Sequence, residues 1–175
     1  MVSLPAKVAA IEFDGDAVRL AVVRTGGRTP QVLAARHTVA EYGAPEERFD
    51  ALVAAVSRLA DSLEQVPAAY VLCAPSQFSI VRLLTIPFRG ARKVAAAVPF
   101  ELEPFLAFPI EELLVDHGIV AERSGETDVL AVGLRRALLE EQLAVLDAAG
   151  IDVEAAGLDA AGLAALWQAL HRGAK

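Results

Sequence analysis

The sequence predicts a mixed α/β fold in which an outer region of strands and helices is interrupted by an inserted β-α-β-β unit. Three observations predict it. The chain opens with three short β-branched runs separated by turn residues. An amphipathic helical stretch and a wholly apolar, strand-length run follow. From Gln77 to Leu134 the texture changes to one strand, a proline-interrupted helix and two more strands, after which helix and strand resume. The expected segments are therefore 1–76 for the first part of the outer domain, 77–134 for the insert and 135–175 for the second part.

Val8–Phe13 is apolar and ends at the turn signal Asp14-Gly15. Ala17–Arg24 then alternates Val18, Leu20 and Val22 with Arg19 and Ala21, so the pair reads as a hairpin. Gly26-Gly27 makes a second turn, and Gln31–Thr38 reads as a third antiparallel strand. Over Glu46–Gln65, the residues Phe49, Leu52, Val53, Val56, Leu59, Ala60 and Leu63 recur at helical spacing and form one apolar face. Pro45 with Glu46 and Glu47 suits a helix start, where free N–H groups and the dipole favour negative charge. Pro67 is expected to end it. Ala69–Ala74 has the length and composition of a buried parallel strand.

In the insert, Ser79–Ile86 reads as a strand closed by Pro87. Ala91–Phe105 reads as a helix that Pro99 and Pro104 must kink or interrupt, because proline lacks the N–H and crowds the preceding turn. Leu113–Ala121 and Thr127–Leu134 are strands joined at Ser124-Gly125. Beyond it, Arg135–Ala149 is a helix with Leu138, Leu139, Leu143 and Leu146 inward and Arg136, Glu140, Glu141 and Asp147 outward. Gly150 fits its left-handed C-terminal cap. Val153–Leu158 and Ala160–Leu170 are a closing strand and helix.

Composition excludes several function classes. With 55% hydrophobic residues over 175 positions, the chain can offset the entropy of ordering and is not disordered. A single cysteine, Cys73, excludes a disulfide scaffold. A net charge of −7 argues against phosphate-backbone binding, and hence against nucleic acid as a partner. Apolar stretches such as Val66–Pro75 fall short of the roughly 20 residues a bilayer span needs. Met1–Lys7 shows no secretory leader pattern, so a soluble cytoplasmic chain is expected.

Chemistry is sparse. His37, His117 and His171 are far apart and none lies in a metal-binding spacing, so no metal is expected. Cys73 lies inside an apolar strand and reads as a small core hydrophobe. Glu101 and Glu103 flank Leu102 and would not share a helix face, and Glu111-Glu112 reads as a solvated turn. No catalytic residue is assigned. The first hairpin turn could present backbone N–H groups to a phosphate. It carries Asp14 and Asp16 where the anion would sit, and an ordinary structural turn is the other reading.

The stretch Phe100-Glu101-Leu102-Glu103-Pro104-Phe105-Leu106-Ala107-Phe108-Pro109-Ile110-Glu111-Glu112, continuing through Asp116, carries a family resemblance. Val132-Gly133-Leu134-Arg135-Arg136, leading to Leu146-Asp147-Ala148-Ala149-Gly150-Ile151, carries a second, and Pro75-Ser76 through Pro87 a third. Together they resemble the N-terminal half of the actin-like PilM proteins of type IV pilus assembly. They are also similar to the cytoplasmic region of the type II secretion L proteins (GspL) and, more distantly, to FtsA.

The resemblance implies one lobe of an actin-like (ribonuclease H-like) fold, with Gln77–Leu134 as the inserted 1C subdomain and the rest as subdomain 1A. In the family's first phosphate loop, Glu12 stands where the aspartate is and Arg19 where the lysine is. Asp14 replaces the glycine, and Gly15-Asp16-Ala17 replace the serines. An aspartate at the closest backbone approach blocks phosphate by size and charge, so no nucleotide or other cofactor is expected. The second phosphate loop and adenosine pocket belong to the family's other half.

Two functions follow from the resemblance. One is a non-catalytic assembly platform, cytoplasmic and peripheral to the inner membrane, in a pilus or secretion machine. Its partner would be the tail of a bitopic PilN-like protein or the N-terminal domain of a secretion ATPase, and a homodimer is compatible with it. Phe100, Phe105 and Phe108 would line the docking groove, or else fill the subdomain core. A peptide would add along a strand edge. The other is an actin-like ATP-binding protein or ATPase lacking its second lobe.

Overall fold

The computed structural model describes residues 6–25 and 30–170. The expected turn at Gly26-Gly27 lies outside the described residues, as does His171. The strands are β1 (Lys7–Asp14), β2 (Ala17–Arg24), β3 (Gln31–Val39), β4 (Ala69–Ala74), β5 (Ser79–Ile86), β6 (Leu113–Glu122), β7 (Thr127–Arg135) and β8 (Val153–Leu158). The helices are α1 (Arg48–Asp61), α2 (Ala91–Leu102), α3 (Arg136–Ala148) and α4 (Asp159–Leu170). The chain divides into two units, one taking residues up to Ser76 and from Glu141 onward, the other Gln77–Glu140.

The first unit holds a five-stranded sheet in the order β3-β2-β1-β4-β8. The β1–β2 and β2–β3 pairs are antiparallel, whereas β4 runs parallel to both β1 and β8. Alternation decides which face is buried. Ala9, Ile11 and Phe13 of β1, Val18, Leu20 and Val22 of β2, and Leu72 and Ala74 of β4 are all buried. Leu52, Ala55, Val56 and Leu59 of α1 are buried with them.

Two expectations about α1 need correction. It is preceded by a 3-10 turn at Pro45–Glu47 and stops at Asp61, well before Pro67. Phe49, expected on the apolar face, is exposed in the first turn.

The second unit holds a three-stranded antiparallel sheet, β5-β7-β6. One face packs on α2. Leu84, Ile86, Val129 and Ala131 of the sheet form a single cluster with Val94, Val98 and Leu102 of the helix. Pro99 does not interrupt α2, which runs through it to Leu102; a 3-10 turn, Glu103–Phe105, then takes Pro104 in its first positions. Proline is tolerated at a helical start because its missing N–H has no partner there.

The α3 helix faces differently from the sequence reading. Gln142, Val145 and Leu146 are its buried residues, whereas Leu138, Leu139 and Leu143 are only half-buried. Gly150 does take the left-handed conformation after it, at φ 74°. The N–H of Ile151 donates to the Leu146 carbonyl, so a free helix-end acceptor is satisfied.

Candidate functional site

The β1–β2 turn is tight because Gly15, at φ 62°, adopts a conformation that side chains disfavour. The aspartates on either side are each held by an arginine. Arg19 reaches back across the hairpin to Asp14 at 2.7 Å and to Glu12 at 3.4 Å. Arg48, at the start of α1, donates from Nε to Asp16 at 2.9 Å and from Nη2 to the Gly15 carbonyl at 3.1 Å. A further guanidinium nitrogen meets Glu141 of α3 at 2.6 Å, and the Tyr42 hydroxyl donates to Asp16 at 2.9 Å.

Among the described residues around the turn, both arginines are thus engaged by carboxylates. An incoming phosphate would meet Asp14 and Asp16 with no uncommitted cation to offset them. Sequence reasoning found Glu12, Asp14, Gly15 and Arg19 but missed Arg48, Tyr42 and Glu141. No local signal marks them, since Arg48 lies 32 positions from Asp16.

Glu12 and Arg19 also belong to a row across the sheet. Glu12 is in register with Cys73 on one side and Arg19 on the other, and Arg19 with His37. With Ala10, Ala21 and Ala35 these side chains line a depression of about 630 Å³ on the sheet face opposite the core. Cys73 is therefore only partly buried, a correction to its expected core position. Burial pushes its thiol upward, and the carboxylates of Glu12 and Asp159 add to that, so the thiol is a poor nucleophile.

At the strand ends beyond it, Asp159 accepts hydrogen bonds from the Ser76 hydroxyl and backbone N–H and from the Ala160 N–H. This ties the end of β4 to the start of α4.

Hydrogen bonds from Arg48 first, and then Tyr42, hold the Asp16 carboxyl below its ordinary range; the Ser76 hydroxyl does the same for Asp159. Depressed carboxylates contribute stability that is fully present above the unfolded value of about 3.9. That contribution is lost as pH falls through the lower folded values. Arg48→Met is expected to flatten the part of the melting-temperature curve below about pH 4 that Asp16 supplies. An unchanged acid slope would show that Arg48 does not hold Asp16.

The three candidate aromatics lie on the second unit, and none is buried. Phe105 lies beneath the Arg82 guanidinium at 5.7 Å, and Phe108 beneath that of Arg135 at 4.7 Å, both within cation–π range. Phe100 is 74% exposed on α2. Together with Phe88, which sequence reasoning missed, it walls a groove of about 400 Å³ floored by Ala96 and Ala97, with Lys93 and Glu101 alongside. The core alternative for Phe100 is not what the structure shows: at the end of α2 that role falls to Leu102.

No helix among the described residues is long and apolar enough to cross a membrane. No curated protein matches the sequence. The structure is similar to a chain of the PilM–PilN type IV pilus biogenesis complex, with a TM-score of 0.79 at 21% identity over 96% of this chain and 52% of that one. It is also similar to the cytoplasmic domain of EpsL, an inner membrane component of the type II secretion system of Vibrio cholerae. There the TM-score is 0.58 at 19% identity, over 86% of this chain and 56% of that one. The chain thus spans a little over half the length of each. These likenesses establish the fold, the actin-like one the sequence leads to expect. The family model for type II secretion system (T2SS) protein L matches residues 48–171, and by that match the chain belongs to the T2SS protein L family.

Proposed function

We propose that this chain is a non-catalytic assembly platform on the cytoplasmic side of a secretion or pilus machine, and that the second unit carries its docking groove. The exposed Phe88–Phe100 groove carries this reading. Two aromatic rings over an alanine floor supply large apolar area, and Lys93 and Glu101 supply charge of both signs to orient a partner. Phe105 and Phe108 are further exposed aromatics of the same unit, each lying beneath a guanidinium, Arg82 and Arg135 respectively.

The partner is the short N-terminal tail of a bitopic inner-membrane protein, or the N-terminal domain of a secretion ATPase. Family membership supports this choice, and so does the first hairpin, whose arginines are already paired with carboxylates. A tail peptide is expected to bind by calorimetry, and Phe100→Ala to weaken it about tenfold or more, as hot-spot aromatics do. No heat at high micromolar peptide would sink the tail version. Magnesium ATP is expected to leave the melting temperature unchanged; a clear rise would favour the ATP-binding reading, since a ligand of the native state must stabilise it.

A further inference from the structure

Charge along a helix is most favourable when it follows the macrodipole, with acids in the first turn and bases in the last. The α1 helix complies, with Asp50 in its first turn and Arg58 in its last. The α2 helix reverses the rule at both ends. Its first turn carries Arg92 and Lys93 and no acid, its last turn carries Glu101 and no base, and no side chain caps it at Gly90. Glu103 follows directly. The ion pairs among the described residues of this unit join Arg89 to Glu122, Arg123 to Asp128 and Arg135 to Glu112. Arg92, Lys93, Glu101 and Glu103 take part in none, so no ion pair within the unit offsets the reversal.

The reversed charges border the aromatic groove. Lys93, Ala96, Ala97, Phe100 and Glu101 recur at i, i+3, i+4, i+7 and i+8, which is one helix face, and with Phe88 they line its volume of about 400 Å³. Lys93 stands toward the N-terminal end of this stripe and Glu101 toward the C-terminal end, about 12 Å apart along the axis.

We propose, resting on the platform reading and deepening it, that the groove takes an amphipathic helix of the partner, lying antiparallel to α2. Its N-terminal end carries basic residues beside Glu101, and its C-terminal end carries acidic residues beside Lys93. A helix is favoured over an added strand because the floor is the side of α2, whose backbone groups are already bonded within the helix. An extended segment would lay unpaired N–H and C=O groups on alanine and phenylalanine, whereas a helix arrives with its own satisfied. The two alanines let the helix axes approach to about 8 Å. Direction follows from charge. An antiparallel partner brings the positive end of its dipole to Glu101 and Glu103 and the negative end to Arg92 and Lys93. Each helix then supplies the charges that the other's dipole lacks, so charge complementarity fixes both the occupant and its polarity.

Two end-capped peptides of about 16 residues, stapled into helices, test this. They carry the same leucine stripe, with one Lys and one Glu about eight positions apart in opposite orders. By fluorescence anisotropy with the intact chain, the Lys-first peptide is expected to bind about fivefold or more tightly than the Glu-first peptide at low salt, and the preference to shrink as salt is added. Lys93→Glu combined with Glu101→Lys is expected to invert the preference, and Phe100→Ala to weaken both peptides alike. With no peptide present, the same double exchange brings α2 into step with its dipole, so the melting temperature is expected to rise. Equal affinities for the two orders, a preference that survives the exchange, or a melting temperature that does not rise would overturn the proposal. Heat from the tail peptide alongside equal affinities would leave the platform reading standing and remove this one; no binding by the tail or by either helix would remove both.

Discussion

Leu102→Ala is expected to cost the second unit about 2–5 kcal/mol of unfolding free energy, read by denaturant titration. Leu102 is wholly inaccessible and closes the end of α2 against Leu84, Ile86, Val129 and Ala131. Its loss removes buried methylenes and leaves a cavity that the strands cannot collapse to fill. Gly133 of β7 lies beside it, where an added Cβ would meet Leu113 Cδ1 at 3.2 Å and Leu102 Cδ2 at 3.5 Å. Gly133→Ala alone therefore overpacks the site, at about 1–3 kcal/mol. In the double mutant the new methyl occupies space that Leu102 has vacated, and Leu113 can relax into the rest. The two costs should fall short of additivity by more than about 0.5 kcal/mol. Additive costs would show that Gly133 and Leu102 do not share the site.

The legible parts of this fold are those written in short-range pattern. The bounds of β2, β4, β5 and β8 follow from runs closed by turn residues, and the Gly150 cap from one glycine after a helix. Helix ends are less legible because they rest on competition between neighbours. Proline at 99 is tolerated in α2, where burial of Val94, Val98 and Leu102 offsets the lost hydrogen bond. The α1 helix ends at Asp61, short of the proline that was expected to stop it.

Long-range partners carry no local mark at all. Arg48 finds Asp16 across 32 positions, and Ser76 finds Asp159 across 83. The same limit applies to the candidate surface. Phe100 was legible as an aromatic in a family-like segment. Phe88, its partner in the groove, follows Pro87 in a connecting segment and became visible only once α2 had folded beside it.

The orientation of α3 can be tested against its sequence reading. The leucine spacing ranks Leu138, Leu139, Leu143 and Leu146 alike as inward residues. The structure separates them: Leu146 is fully inaccessible and Val145 nearly so, while Leu138 is half-buried. Leu146→Ala is expected to cost about 2–5 kcal/mol, because the whole side chain is removed from a closed site. Leu138→Ala should cost well under half of that, since a partly exposed side chain gives up less transfer free energy and leaves an open surface rather than a cavity. Gln142 is the cross-check. It is buried on the same face, and its side-chain oxygen has no hydrogen-bond partner among the described residues. An unsatisfied buried acceptor costs about 1–3 kcal/mol, so Gln142→Leu, which removes it at similar volume, should leave stability unchanged or raise it. Equal losses for Leu138→Ala and Leu146→Ala, together with a damaging Gln142→Leu, would mean that α3 presents the face its leucine spacing alone suggests.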